Sequence, residues 1–163
     1  MRFVIRSLGD FTARLVATVQ IGMRADVYAP HGRFTRKVGA SREVWIAGGV
    51  GISPFIAWMS DAEAAGFERV TLFYFYSPDR VFPSAEVLRA MAEDRGGEFV
   101  PVRTGPATPD FIRRFTDIAR GSDRSSLDIA VCGPKGLVDA VAGLVEANGL
   151  PPGGLRSERF AFR

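Results

Sequence analysis

The sequence of 163 residues is short of cysteine and histidine, holding one of each, Cys132 and His31. A lone cysteine forms no intramolecular disulfide, so a reducing compartment suits the chain. There is no cysteine run of the plant-type iron–sulfur kind, and no metal site is expected. No stretch approaches the roughly 20 apolar residues needed to span a bilayer. The opening residues lack the apolar segment of a signal peptide, and a soluble, cytoplasmic protein is expected. Charge of one sign is also scarce, at a formal net +3. The arginines are scattered, with no basic stripe interleaved with aromatics, which argues against nucleic acid as a partner. Such a small positive balance still suits a phosphate-bearing cofactor or an acidic electron-transfer partner. Finally, no Gly-Lys-Ser/Thr follows a glycine-rich turn, which excludes a Walker-type phosphate binder.

What is present is a core-forming composition, 47% hydrophobic and 24% charged, enough for one domain plus a fragment of another. Residues 3–6 read as a short strand, Thr12 to Thr18 as a short helix, and Arg24 to Tyr28 as an alternating strand. The polar segment Thr35 to Glu43 reads as an interdomain connection. Beyond it the rhythm changes. Apolar runs at Val44–Ala47, Val70–Tyr76, Phe99–Val102 and Leu127–Cys132 read as strands buried on both faces. They alternate with helices expected over Ile52–Ala65, Ser84–Asp94, Asp110–Ile118 and Leu137–Asn148. That alternation predicts an α/β fold with a parallel sheet covered on both sides. Ligands of such sheets bind outside the carboxyl ends of the strands, where Gly48 and Gly133 fall.

Five segments carry chemistry. The turn Ala47-Gly48-Gly49-Val50-Gly51-Ile52-Ser53-Pro54 brings glycines between a strand and a helix, which lets backbone approach a diphosphate. Ser53 is suited to cap that helix and Pro54 to its first turn. Val131-Cys132-Gly133-Pro134 closes a strand and opens a helix, and the chain ends Ser157-Glu158-Arg159-Phe160-Ala161-Phe162-Arg163. Near the start lie Gly9-Asp10-Phe11-Thr12 and Ala29-Pro30-His31-Gly32-Arg33-Phe34.

In order and spacing these five segments resemble the ferredoxin reductase-like superfamily of FAD- and NAD(P)-binding oxidoreductases. The terminal Glu-x-Phe looks most like that of bacterial ferric reductases and the reductase domains of NADPH oxidases. The resemblance implies a Rossmann-like domain over residues 41–163, preceded over residues 1–40 by the end of an antiparallel β-barrel that binds FAD. Ala29 and His31 depart from the usual glycine and aromatic of the barrel-closing segment.

By this resemblance Ser53, Cys132, Glu158 and Phe160 line the hydride-transfer site, with Phe162 the competing candidate for the ring that covers the flavin. Gly48, Gly49, Gly51, Ile52, Pro54, Gly133 and Pro134 belong to the nicotinamide-nucleotide site, where Gly49 and Gly51 are expected to give close approach. Gly9 and Thr12 face the flavin diphosphate. Ser77 and Arg80, aided by Arg103, resemble the pairing that holds a 2′-phosphate, which favours NADPH over NADH despite the adjacent Asp79. The implied activity passes hydride from nicotinamide to FAD and electrons onward to ferric iron, haem or another acceptor, with an acceptor protein or an upstream membrane haem domain as partner. The flavin-gripping strand of the family has no counterpart here, so flavin binding is expected to be weak. The alternative is a nucleotide-binding fragment or subunit without turnover of its own.

Overall fold

The central strands are buried on both faces along nearly their whole length, which calls for helices on both sides of the sheet. A computed structural model of the chain describes residues 5, 9–26, 33–77, 84–103, 105 and 108–160. The chain divides into two units, Met1–Arg33 and Phe34–Arg163. In the first, helix α1 (Asp10–Thr18) starts directly after Gly9. The Gly9 N–H donates to the Thr12 hydroxyl at 3.1 Å, and that hydroxyl reaches back to the Gly9 carbonyl. Residues 23–26 are not in a strand, unlike the expectation for Arg24–Tyr28, whose last two residues lie outside the described part.

The second unit holds a five-stranded sheet, all parallel. Its elements run β1 (Arg42–Gly48), α2 (Ser53–Ser60), β2 (Val70–Phe75), α3 (Ala85–Glu93) and β3 (Glu98–Val102). They continue through α4 (Pro109–Gly121), β4 (Leu127–Pro134), α5 (Lys135–Ala147) and β5 (Leu155–Phe160). The spatial order is β3-β2-β1-β4-β5, so the chain winds outward from β1 in one direction, then crosses back to β4.

Successive side chains of a strand face opposite sides of the sheet. Trp45 and Ala47 of β1, Leu72 and Tyr74 of β2, and Ala130 and Cys132 of β4 share one core with Phe55 of α2 and Leu88 of α3. Their neighbours Val44, Ile46, Phe73, Phe75, Ile129 and Val131 share the other with Phe111 of α4 and Val141 of α5. The expected sheet with two covered faces is what forms.

Two buried carboxylates, each paired with an arginine, secure the lower end of this sheet. Arg36 and Glu43, with side chains 6% and 2% exposed, form a two-pronged pair at 2.8 and 3.0 Å. The Trp45 indole donates to the same carboxylate at 3.1 Å. Asp128 pairs with Arg156 of β5, whose Nη1 also donates to the Thr35 carbonyl. Phe34 stacks on Trp58 at 5.3 Å. The segment before β1, read from sequence as an interdomain connection, is part of the second unit, and Glu43 belongs to β1 itself.

Two local expectations are corrected. Helix α2 stops at Ser60, not Ala65. The Asp61 side chain takes the Glu63 N–H at 3.1 Å, forming a turn that competes with the helix. Arg95 then holds the freed carbonyls of Asp61 and Ala64. Nor does Ser53 cap α2. A 3-10 turn over Gly49–Ile52 runs straight into the helix, so Ser53 already has helical φ and ψ, and its hydroxyl donates backward to the Val50 carbonyl at 2.8 Å.

Candidate functional site

At the carboxyl ends of β1 and β4 the strand order reverses, because β1 continues to β2 on one side while β4 lies on the other. Open α/β sheets part their loops at such a point and form a crevice there. Both glycine-rich turns meet at this crevice. A Cβ on Gly133 would lie 3.2 Å from the Gly48 Cα, and one on Gly48 would lie 2.8 Å from the Pro134 ring and 2.7 Å from Leu137. A Cβ on Gly51 would lie 2.6 Å from the Cys132 carbonyl carbon, and closer still to its oxygen. Protein-to-protein approach leaves no room for a side chain at Gly48 or Gly51 and little at Gly133. The close approach that Gly51 makes here is to β4.

Gly49 is different. Its φ of +55° lies in the left-handed region, and a Cβ there would meet nothing within 4 Å. Of the glycines in the two turns singled out from sequence, Gly49 alone presents bare backbone to open space. The 3-10 turn and α2 open beside it, and α5 opens at Lys135. Helix starts leave backbone N–H groups unsatisfied and carry partial positive charge, so this crevice can receive a diphosphate.

Beneath the crevice lies Cys132, 0% exposed and packed with Ala47, Ile52 and Phe55. Its cross-strand partner is Glu158 on β5. Burial, and after it the Glu158 carboxylate, push the Cys132 thiol up from an ordinary 9.0 to about 12. The thiol stays neutral and is a poor nucleophile. Further out, Lys135 pairs with Asp139 at 2.5 Å, and Arg159 approaches the same carboxylate at 3.6 Å. That cation pair holds the Asp139 carboxyl below its ordinary range, the Lys135 hydrogen bond contributing most.

At the carboxyl ends of β2 and β3, Arg103 Nε donates to the Tyr76 hydroxyl at 3.1 Å, and Tyr76 stacks on Tyr74 at 5.3 Å. Ser77 is exposed next to them.

No family model matches the chain. Among curated proteins, the reductase component of propane 2-monooxygenase from Rhodococcus jostii (strain RHA1) is 28% identical over 170 residues, covering 93% of this chain. The toluate 1,2-dioxygenase electron transfer component of Pseudomonas putida is 27% identical over 169 residues, covering 98%. The chain spans 44% and 49% of those relatives, about half their length. Among solved structures, the flavohem-like FAD/NAD-binding domain of nitric oxide dioxygenase from Vibrio cholerae superposes with a TM-score of 0.68 at 19% identity, over 93% of this chain and 65% of that one. Phthalate dioxygenase reductase gives 0.59 at 21%, over 81% and 39%. The relatives and neighbours are ferredoxin reductase-type FAD/NAD-binding oxidoreductases, and the fold is theirs.

These relatives serve oxygenases, which gives the narrower likeness to ferric reductases and NADPH oxidases only loose support. Against the ferredoxin reductase-type plan, the structure gathers Gly48, Gly49, Gly51, Ile52, Ser53 and Pro54 with Cys132, Gly133 and Pro134 at one crevice, with Glu158 on the adjoining strand. Gly9 and Thr12 lie in the first unit. Arg80, His31 and Phe162, together with the ring of Phe160, lie outside the described part. Among the described residues no group of acidic, cysteine or histidine side chains is arranged to hold a metal, and no helix is long and apolar enough to cross a membrane.

Sequence reading missed two features. Tyr76 was counted only as the end of a strand, though an aromatic at a carboxyl strand end is a candidate ligand contact. Asp128 was passed over inside an apolar run. A carboxylate in a doubly covered strand requires a buried partner, and that was the available signal for Arg156.

Proposed function

We propose that the second unit binds a nicotinamide nucleotide across the carboxyl ends of β1 and β4, as the hydride-donating half of a flavin reductase that feeds an oxygenase. The observation that carries this reading is the meeting of two glycine turns at the point where strand order reverses, with Gly49 left open. The bound nicotinamide and FAD would supply the hydride-transfer chemistry itself.

The chain's own residues supply placement. Backbone of the Gly49–Ile52 turn and the starts of α2 and α5 receive the diphosphate. The Ser53 hydroxyl, fixed by its bond to the Val50 carbonyl, presents its free lone pairs to the nicotinamide end. Cys132 forms a neutral floor that excludes water and takes no covalent part. Glu158 provides the polar wall of the same end, and Phe160, two residues on, covers the flavin. Tyr76, Ser77, Arg80 and Arg103 receive the adenosine end, and the arginines favour NADPH.

The first unit, ending at Arg33 and not at residue 40, serves as the end of the FAD-binding barrel, with Gly9 and Thr12 at the flavin diphosphate, and the second, Phe34–Arg163, as the nucleotide domain. The electron acceptor is an oxygenase component or its ferredoxin, by analogy with the relatives' named roles; ferric iron or haem is the second choice.

The test is an anaerobic titration of the FAD-supplemented chain with NADPH. Bleaching of the flavin's visible band supports the full reading. Saturable NADPH binding without bleaching keeps the nucleotide site and removes independent turnover. Absence of nucleotide binding overturns the proposal.

A further inference from the structure

The last strand has an unusual problem. β5 is an edge strand reading Leu155-Arg156-Ser157-Glu158-Arg159-Phe160, and among its described side chains only Leu155 packs on a hydrophobic core. Register in a sheet is ordinarily fixed by which side chains must be buried, and polar strands specify it weakly. A two-residue slip would keep every side chain on its own face and move Glu158 away from Cys132.

One contact distinguishes the registers. Asp128 on β4 is 2% exposed, and its carboxylate is held by Nε of Arg156 at 2.9 Å and by Nη2 of the same fork. The third guanidinium nitrogen donates to the Thr35 carbonyl, and the group lies 5.8 Å from the Phe34 ring and 5.9 Å from Trp58. Arg156 stands opposite Ala130, and Glu158 stands opposite Cys132, one pleat repeat along the same face. A slip that sets Arg156 opposite Cys132 would leave Asp128 a buried carboxylate without its cation, which is costly. The opposite slip would set Arg156 on the rung of Gly154, where a Cβ lies 3.1 Å from the Leu127 carbonyl oxygen, and would shift its guanidinium from the Thr35 carbonyl. Buried polar pairs are best attested as devices that select one register.

We infer that Arg156 is a positioning residue: its fork on Asp128 sets the register of β5 and so places Glu158 beside Cys132. The functional value of that placement rests on the reading of Glu158 proposed above, but the register itself does not.

The experiment is cross-strand NMR on the isotopically labelled chain, following backbone contacts between the Cys132 and Glu158 rungs. In Asp128→Leu/Arg156→Met both charges are replaced by apolar groups, so burial is retained without the fork. The account predicts that this variant folds, that the Cys132–Glu158 contacts weaken several-fold, and that residues 155–160 show a second set of amide signals. Arg156→Lys, which keeps the charge and loses the fork, is expected to fall between. A single set of signals with full Cys132–Glu158 contacts in the double variant overturns the inference. If the double variant does not fold, Arg156→Gln decides, and native contacts there overturn it equally. NADP+ added to the unmutated chain separates the two claims. A register effect with no response at Gly49 leaves this inference standing and removes the nucleotide site.

Discussion

Replacing Gly51 and Gly49 by alanine, one at a time, should damage the protein in opposite ways. At Gly51 the new methyl would lie 2.6 Å from the Cys132 carbonyl carbon and 3.0 Å from the Gly133 nitrogen. Real Cβ atoms do not approach that closely, and both neighbours are backbone of a central strand. No flexible side chain can move aside, so β4 or the 3-10 turn must shift. Overpacking of this kind costs about 1–3 kcal/mol, and the backbone contact places Gly51→Ala near the top of that range. For a unit of this size, about 3 kcal/mol lowers the melting temperature by roughly 10 °C. At Gly49 the methyl enters open space, and the cost is that of a left-handed residue with a side chain, about 1 kcal/mol. That methyl, however, stands where the diphosphate is proposed to approach, so NADPH affinity should fall by about tenfold or more, equivalent to about 1.4 kcal/mol. Thermal melting followed by circular dichroism, and calorimetric titration with NADPH, read the two effects separately. A Gly51→Ala protein melting within about 2 °C of the parent would refute the packing argument. Unchanged NADPH affinity in Gly49→Ala would refute the assignment of Gly49 to the ligand.

Three further outcomes follow from the buried groups and the strand ends. Arg36→Met leaves Glu43 buried with, among the described side chains, only the Trp45 indole donating to it, and should cost about 3–5 kcal/mol, while Arg36→Met/Glu43→Leu should recover most of it. Denaturant unfolding followed by tryptophan fluorescence checks this, since Trp45 and Trp58 lie in one ring cluster with Arg36 over Trp45. For Cys132 the folded thiol titrates at about 12 and the unfolded thiol near 9.0, so the unfolded chain loses its proton first as pH rises. Stability from this group is therefore complete below about pH 9 and declines toward about pH 12, by up to about 1.4 kcal/mol per pH unit. Urea unfolding across that window should show the decline, and Cys132→Ala should flatten it; an identical slope in both proteins contradicts the assignment. Arg103→Ala should weaken NADPH binding about tenfold while leaving NADH nearly unchanged, the loss of one phosphate contact. Equal losses for both nucleotides would place Arg103 away from the 2′-phosphate.

Much of the fold could be read because its strands are buried on both faces. Val70–Phe75 is apolar and aromatic but for Thr71, and a covered parallel sheet accommodates such a run. The glycine turns and Cys132-Gly133-Pro134 were visible as motifs, and their meeting at one crevice followed once β1 and β4 proved to be neighbours. Local periodicity failed where a side chain competes for backbone. Asp61 ended α2 early, and the turn at Gly49 began helical geometry before Ser53 could cap it. Composition also misled at residues 35–43, where polar residues suggest an interdomain connection. Arg36 and Glu43 are instead a matched buried pair, and sequence shows polarity without showing partnership. A glycine needed for packing and one needed for a ligand look alike in sequence until the space beside each is known, and the space beside Gly51 is filled by β4.

The most direct test of the central claim is a titration of the 15N-labelled chain with NADP+, followed residue by residue through amide shifts. Saturable shifts concentrated at Gly49–Ser53 and Gly133–Lys135 are the predicted result. Shifts confined to another surface, such as the β3 edge, or none at millimolar nucleotide, would contradict a nicotinamide-nucleotide site between β1 and β4.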